Sequence, residues 1–226
     1  MELLPDPRIL ASEMDAAIRC LTRQYTPVIR SIRRSYSQKI ESASPEYVLE
    51  FARQLFFKHG QRWNAYEIIA GHKAAFRGLG AAELEELGHG INSWWTVDSF
   101  ARTLSGPAWL NGQIADDLIL QWARSSDLWW RRAALVSTVA LNVRSRGGKG
   151  DVRRTLAVCI LLVGDHEDMV AKAMSWALRE LIVHDPEAVQ KFLDEHEQEL
   201  AARVKREVRN KLITGLKTPK HKVKAQ

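Results

Sequence analysis

Residues 113–183 read QIADDLILQWARSSDLWWRRAALVSTVALNVRSRGGKGDVRRTLAVCILLVGDHEDMVAKAMSWALRELIV, and their rhythm decides the fold. Apolar side chains recur three and four residues apart from Gln113 to Ala123, Leu128 to Val143, Val152 to Val163 and Met169 to Val183. That period gathers them on one face of a helix. The connections between these segments are short. The connection at 144–150, RSRGGKG, is basic and glycine-rich, and reads either as a phosphate contact or as a flexible link. No stretch alternates apolar and polar residues with β-branched enrichment, so no sheet is expected.

From Gln113 onward the helices pair at a spacing of about 40 residues, near that of HEAT-like repeats. Self-similarity between pairs is weak, so this expectation rests on helix rhythm and not on a motif. The pattern extends toward the N-terminus. Ile9, Met14, Ala17, Ile18 and Leu21 give one stripe. Val48, Leu49, Phe51, Ala52, Leu55 and Phe56 give another. The second begins at Ser44-Pro45, a cap followed by a proline at the first helical position, and ends at His59-Gly60. Further helices are expected from Trp63 to Phe76, Ala81 to Gly90 and Ser99 to Leu104. Pro186 to Leu216 reads as one long helix or two. The fold expected is all-α, a HEAT-like helical repeat array (an α-α superhelix or solenoid) forming a single domain over residues 1–217. Residues 218–226 are expected to be a basic flexible tail. Such arrays curve and offer a concave face to a long partner.

Charge says what that partner is. The net charge is +6 over 226 residues, and it is clustered. Between Asp15 and Glu41 stand Arg19, Arg23, Arg30, Arg33, Arg34 and Lys39, with no carboxylate. From Arg203 to Lys224, Lys and Arg are opposed by Glu207 alone. Basic blocks flanking a helical array suit contacts to a nucleic-acid backbone, although each block also reads as a solvated face. The first residues lack the basic and apolar regions of a signal peptide, and no apolar run is long enough to span a bilayer. A cytoplasmic monomer without membrane association is expected. Cys20 and Cys159 are far apart in apolar helical surroundings, and read as buried free thiols in a reducing compartment. The histidines are scattered, so no metal site is expected. No phosphate-cradling loop, dinucleotide fingerprint or GxSxG elbow is present.

Three aromatic segments remain. INSWWTVDSF (91–100) places Trp94 four residues before Asp98, which on a helix gives them one face. LWWRRAA (128–134) sets tryptophans beside paired arginines, and MSWALRE (174–180) carries Trp176. Core packing is the plainer account of each tryptophan. For Asp98 the plainer account is a cap on a helix beginning at Ser99.

In the order and spacing of WWTVDS (94–99), WWRRAAL (129–135) and KAMSWALRE (172–180), and in the closing KREVRNKLITG (205–215), the chain resembles the AlkD-type DNA alkylation repair glycosylases. These are HEAT-like repeat proteins that act on alkylpurines. The resemblance runs from about Leu10 to Lys217 and is poor over Tyr25 to Lys39. It implies a catalytic aspartate at Asp98, lesion-facing tryptophans at Trp94 or Trp95 and at Trp176, and an arginine near the lesion phosphate at Arg132. It implies backbone contacts from Arg131, Lys172, Arg179, Arg206, Arg209 and Lys211. The partner would be double-stranded DNA containing alkylated bases. The reaction would be hydrolysis of the N-glycosidic bond of cationic N3- or N7-alkylpurines without base flipping, and no cofactor is implied. Two other readings compete: a non-catalytic DNA-binding repeat in which Asp98 is structural, and a protein–protein scaffold.

Overall fold

The computed structural model describes residues 4–219. Among them there is no strand. The helices are α1 (Pro7–Arg19), α2 (Thr26–Lys39), α3 (Pro45–Phe57), α4 (Arg62–Gly71), α5 (Lys73–Arg77), α6 (Ala81–Gly88) and α7 (Trp94–Phe100). A π-helical segment (Ala101–Ser105) leads into α8 (Gly106–Leu110), followed by α9 (Asp116–Ala123) and α10 (Leu128–Asn142). After a 3-10 turn at Arg144–Arg146 come α11 (Val152–Leu161), α12 (Asp168–Leu181), α13 (Pro186–Glu195) and α14 (Ala202–Thr214). None is long and apolar enough to cross a membrane. The expected tail lies, from residue 220 on, outside the described residues.

Local chemistry sets many of the starts. The side chains of Asp6, Ser44, Asp127, Asp151 and Asp185 each accept a backbone N–H from the first turn of the helix that follows. Prolines stand in the first turns of α1, α2, α3 and α13, where the missing donor costs nothing.

The helices form two rows. In the inner row α4 packs on α7, α7 on α10, α10 on α12, and α12 on α14. Behind it α3 backs α4, α9 backs α10, and α11 bridges α9 and α12. One continuous apolar core runs between the rows from Leu10 to Val208. This is the HEAT-like helical array that the rhythm predicted. Buried polar pairs tie neighbours together. Asn142 donates to Thr155 Oγ1 at 3.0 Å, and Ser175 donates to the buried Glu207 at 2.6 Å.

Several expectations are corrected. The basic stretch Thr26–Lys39, assigned no helix from its sequence, is α2. The stretch from Trp63 to Phe76 breaks at His72, whose backbone is extended and whose ring caps α5 by accepting the N–H of Ala75. Pro186 to Leu216 is two helices, α13 and α14. Ile9 faces solvent, and the core stripe of α1 is Leu10, Ala11, Met14 and Ile18. Of the two free cysteines only Cys159 is buried; Cys20, at the end of α1, is exposed.

The most consequential correction concerns residues 94–110. The helix begins at Trp94, not Ser99, so Asp98 lies inside α7 and caps nothing. Pro107 has no N–H to offer the carbonyl four residues back, and its ring crowds that carbonyl. The Gly106 N–H instead reaches back five residues to Ala101, and the turn widens to a π segment. Gly106 is required there, because a Cβ would sit 2.8 to 2.9 Å from Ala101 O, Ser137 O and Ala140 Cβ. Single π turns of this kind are frequent beside functional sites.

The glycine-rich connection is pinned and not loose. Gly150 has φ +86° and donates its N–H to Leu141 O, and a Cβ there would meet His184 at 2.5 Å. Arg144 donates to Val183 O at 3.0 Å, and Arg146 to Arg102 O at 2.8 Å.

Candidate functional site

The start of α7 is fixed by a capping box between Ser93 and Thr96. With the helix starting at Trp94, the residues at 94, 98 and 102 follow one another along one face. That face looks into an open hollow of about 590 Å³. Its lining includes Trp94, Trp95, Asp98 and Arg102, with Trp63 of α4 on another wall and Arg146 from the 3-10 turn. A smaller hollow of about 190 Å³ shares Arg102 and Arg146 and extends to Trp176 and Glu180 of α12. The guanidinium of Arg102 lies 5.4 Å from the centre of the Trp176 ring. The two hollows therefore make one trough along the inner row.

Trp94 and Trp95 present broad faces to this trough, with 56% and 53% of their surfaces accessible. Trp176 is half-buried, its Nε1 donating to Glu180 at 2.9 Å. The Asp98 side chain keeps 18% of its surface accessible, so it is neither sealed in the core nor free in solvent.

Asp98 is held by one partner. Arg132 of α10 donates Nε to Oδ1 and Nη2 to Oδ2, each at 3.0 Å. Its remaining nitrogen donates to Met169 O of α12 at 2.5 Å. The Arg132 side chain is 6% accessible. Burial pushes the Asp98 carboxyl above the ordinary carboxylate range, and the positive charges of Arg132 and Arg102 work against that rise. The result is a carboxylate in a partly dry setting whose charge depends on its arginine neighbours.

The structure places the other expected positions as follows. Arg132 does not project into the trough as a free phosphate ligand, because its donors are engaged by Asp98 and Met169. Arg131 turns to Asp165 at 2.7 Å and to the carbonyls of Ser125 and Ser126. Lys172 pairs with Asp168 at 2.6 Å, Arg209 pairs with Glu197, and Lys211 donates to Gly215 O at 2.7 Å. Arg179 is half-buried and donates to Ser175, and its burial lowers its pKa. Arg206 is exposed and has no ion-pair partner among the described residues. The tryptophans of the WWRR segment are half-buried and pack against the core: Trp130 lies tilted against Trp122, ring centres 4.7 Å apart, and meets Phe100 edge-on.

Residues that sequence reasoning missed complete the trough. Trp63 lines it beneath Arg30, whose guanidinium is 5.0 Å from the indole centre. Arg30 and Arg33 of the basic α2 both pair with Glu67 of α4, so part of the N-terminal block is neutralised within the fold. Arg102 was missed as well, and Arg146 was not singled out within the 144–150 connection that reads as a phosphate contact or a flexible link. Arg102 was the legible one, since it lies four residues past Asp98. Among the described residues no cluster of His, Cys, Asp and Glu is arranged to hold a metal.

The arrangement suits a cationic, flat substrate: a carboxylate for positive charge, indole faces for a planar ring, and guanidiniums for anions beside it. Among curated proteins none matches the chain. Over residues 14–212, however, the sequence matches the family model described as DNA alkylation repair enzyme, and the chain belongs to that family.

Proposed function

We propose that this chain is a monofunctional DNA glycosylase that hydrolyses the N-glycosidic bond of cationic N3- or N7-alkylpurines in duplex DNA. Its membership of a DNA alkylation repair family makes it an enzyme of that repair with DNA as its partner. The observation that carries the finer reading is Asp98, an arginine-held carboxylate opening into a trough between the exposed faces of Trp94 and Trp95.

The chemistry follows from the substrate's charge. A purine alkylated at N3 or N7 is already a cation, so the bond from its nitrogen to the sugar breaks with the electron pair returning to the base. That leaves an oxocarbenium-like sugar. Asp98 stabilises that positive charge across the trough and accepts a hydrogen bond from the water that adds to the anomeric carbon. The water's proton leaves to the carboxylate or to solvent, and the products are a neutral free base and an abasic site. No general acid is required. Trp94 and Trp95 attract the cationic nucleotide through their ring faces, worth about 0.5 to 2 kcal/mol each, while Trp176, whose ring already carries the Arg102 guanidinium, bounds the far end of the trough. An open trough in place of a fitted base pocket supports capture of the lesion without base flipping and tolerance of bulky adducts.

A second reading is favoured by the same ion pair: Asp98 as a strut between α7 and α10 in a DNA-binding repeat without catalysis. Incubation with duplex DNA carrying 7-methylguanine, with measurement of the free base, separates them. Release by the native chain, lost in Asp98→Asn while DNA binding persists, supports the glycosylase. Binding without release by the native chain overturns it.

A further inference from the structure

Arg102 and Arg146 stand out from the other basic residues of the inner row. Both are exposed, both line the two hollows, and neither has a carboxylate partner among the described residues. They are also close to each other. Arg146 donates to the backbone carbonyl of Arg102 at 2.8 Å, and the charge of Arg102 adds to burial in lowering the Arg146 pKa. Two unpaired like charges brought together by an ordered turn are unfavourable in the free protein. The fold nevertheless fixes both. The 3-10 turn carrying Arg146 is tied down through Arg144 to Val183, and Arg102 is laid across the ring of Trp176.

We propose that Arg102 and Arg146 together grip one phosphodiester of the DNA backbone beside the lesion, the role that Arg132 is too buried to fill. This rests on the reading that DNA lies in the trough. A phosphate is an anion whose oxygens suit two guanidinium forks at once, and its arrival removes the repulsion between them. Asp98 adjoins the pair, so a phosphate held there sets the sugar one bond series away against the carboxylate. Arg132 is then a positioning residue that orients Asp98, and the anion contact falls to the exposed pair.

The test measures binding of a lesion-bearing duplex and an unmodified duplex as a function of salt for the native chain, Arg102→Gln, Arg146→Gln and the double variant. Arg77→Gln, an exposed arginine on α5, is the control. Each single variant should flatten the log–log salt dependence, by up to about 0.9 for one lost phosphate, and the double variant should flatten it no further. Arg146→Lys should restore part of the slope. Replacing single phosphates near the lesion by neutral methylphosphonates should weaken the native chain at one position and leave the double variant unaffected there. Slopes that match Arg77→Gln, or additive losses at two different methylphosphonate positions, overturn the shared clamp while leaving the glycosylase reading intact. A native chain that binds no duplex overturns both.

Discussion

The Arg132 guanidinium meets the Asp98 carboxylate edge to edge, two nitrogens on two oxygens at 3.0 Å, across the contact between α7 and α10. Few arrangements fix a carboxylate's position and its charge so completely. The same contact bears on stability and on chemistry, and the two can be measured apart.

Replacing Arg132 by Gln leaves Asp98 half-buried without its counter-charge. Stability should fall by about 3 kcal/mol, the low end for a broken buried pair because Asp98 retains some contact with water. Base release should fall too, and Arg132→Lys should recover more stability than activity, since an ammonium cannot reproduce the two parallel bonds. Denaturant unfolding and single-turnover base release check the two arms. Equal recovery of both by Lys would show that only charge matters at 132.

The charge of Asp98 predicts a pH profile. Its carboxyl is raised by burial, against the opposing pull of Arg132 and Arg102. The ionised form stabilises the sugar cation, so release should decline as pH falls through a midpoint above the ordinary Asp value of about 3.9. Arg102→Gln removes one of the charges that lower this pKa, and its acid limb should move to higher pH. Single-turnover rates between about pH 4 and 8 would show it. An acid limb that stays where it was would separate Arg102 from the carboxylate.

Gly106 links the backbone to the site. A methyl group there would press on Ala101 O, Ser137 O and Ala140 Cβ at 2.8 to 2.9 Å, all of them backbone or tightly held. Gly106→Ala should push the π segment off α10 at a cost of about 1 to 3 kcal/mol. It should also loosen the Asp98–Arg132 register, so release should fall more than DNA binding does. Melting temperature, binding and release on one preparation provide the comparison.

These cases show what could be read in advance. Trp94 and Asp98 share a face because helical spacing dictates it, and the helix rhythm of residues 113–183 carried over directly into the paired rows. The side on which Arg132 lies could not be read, because WWRR offers two arginines and two tryptophans. Only packing decided that Trp130 goes to the Phe100–Trp122 cluster and Arg132 to Asp98. Trp63 carries no local signal, and for Arg146 the basic 144–150 connection offers a phosphate contact without saying which residue makes it. Each is a single residue on a separate element, brought to the trough by tertiary contacts. The π segment did leave a trace, Gly106-Pro107 inside a helical run. The start of the helix at Trp94 left its own trace, Ser93 three residues before Thr96, which was hidden by expecting the helix to begin after the aspartate. Within the basic block at 19–39 the charges of Arg30 and Arg33 are answered inside the fold, which the block alone could not show because their carboxylate, Glu67, lies on a later helix.

Asp15 offers a stability test remote from the trough. Burial alone would raise its pKa, but a hydrogen bond from Gln61 at 2.8 Å, the Arg19 guanidinium at 2.6 Å and the nearby His59 outweigh that and hold it below the ordinary value. A carboxyl with a depressed folded pKa stabilises the fold above its unfolded pKa, about 3.9, and loses that contribution as pH falls through the folded value. Asp15→Asn should therefore cost about 1 to 2 kcal/mol at neutral pH, modest because Arg19 is mostly solvated. The gap from the native chain should close as unfolding is repeated toward pH ~3. Base release at neutral pH, under conditions where both proteins are folded, should be the same for both. A gap that persists unchanged in acid would mean that the asparagine disturbs the packing of α1 and not the charge.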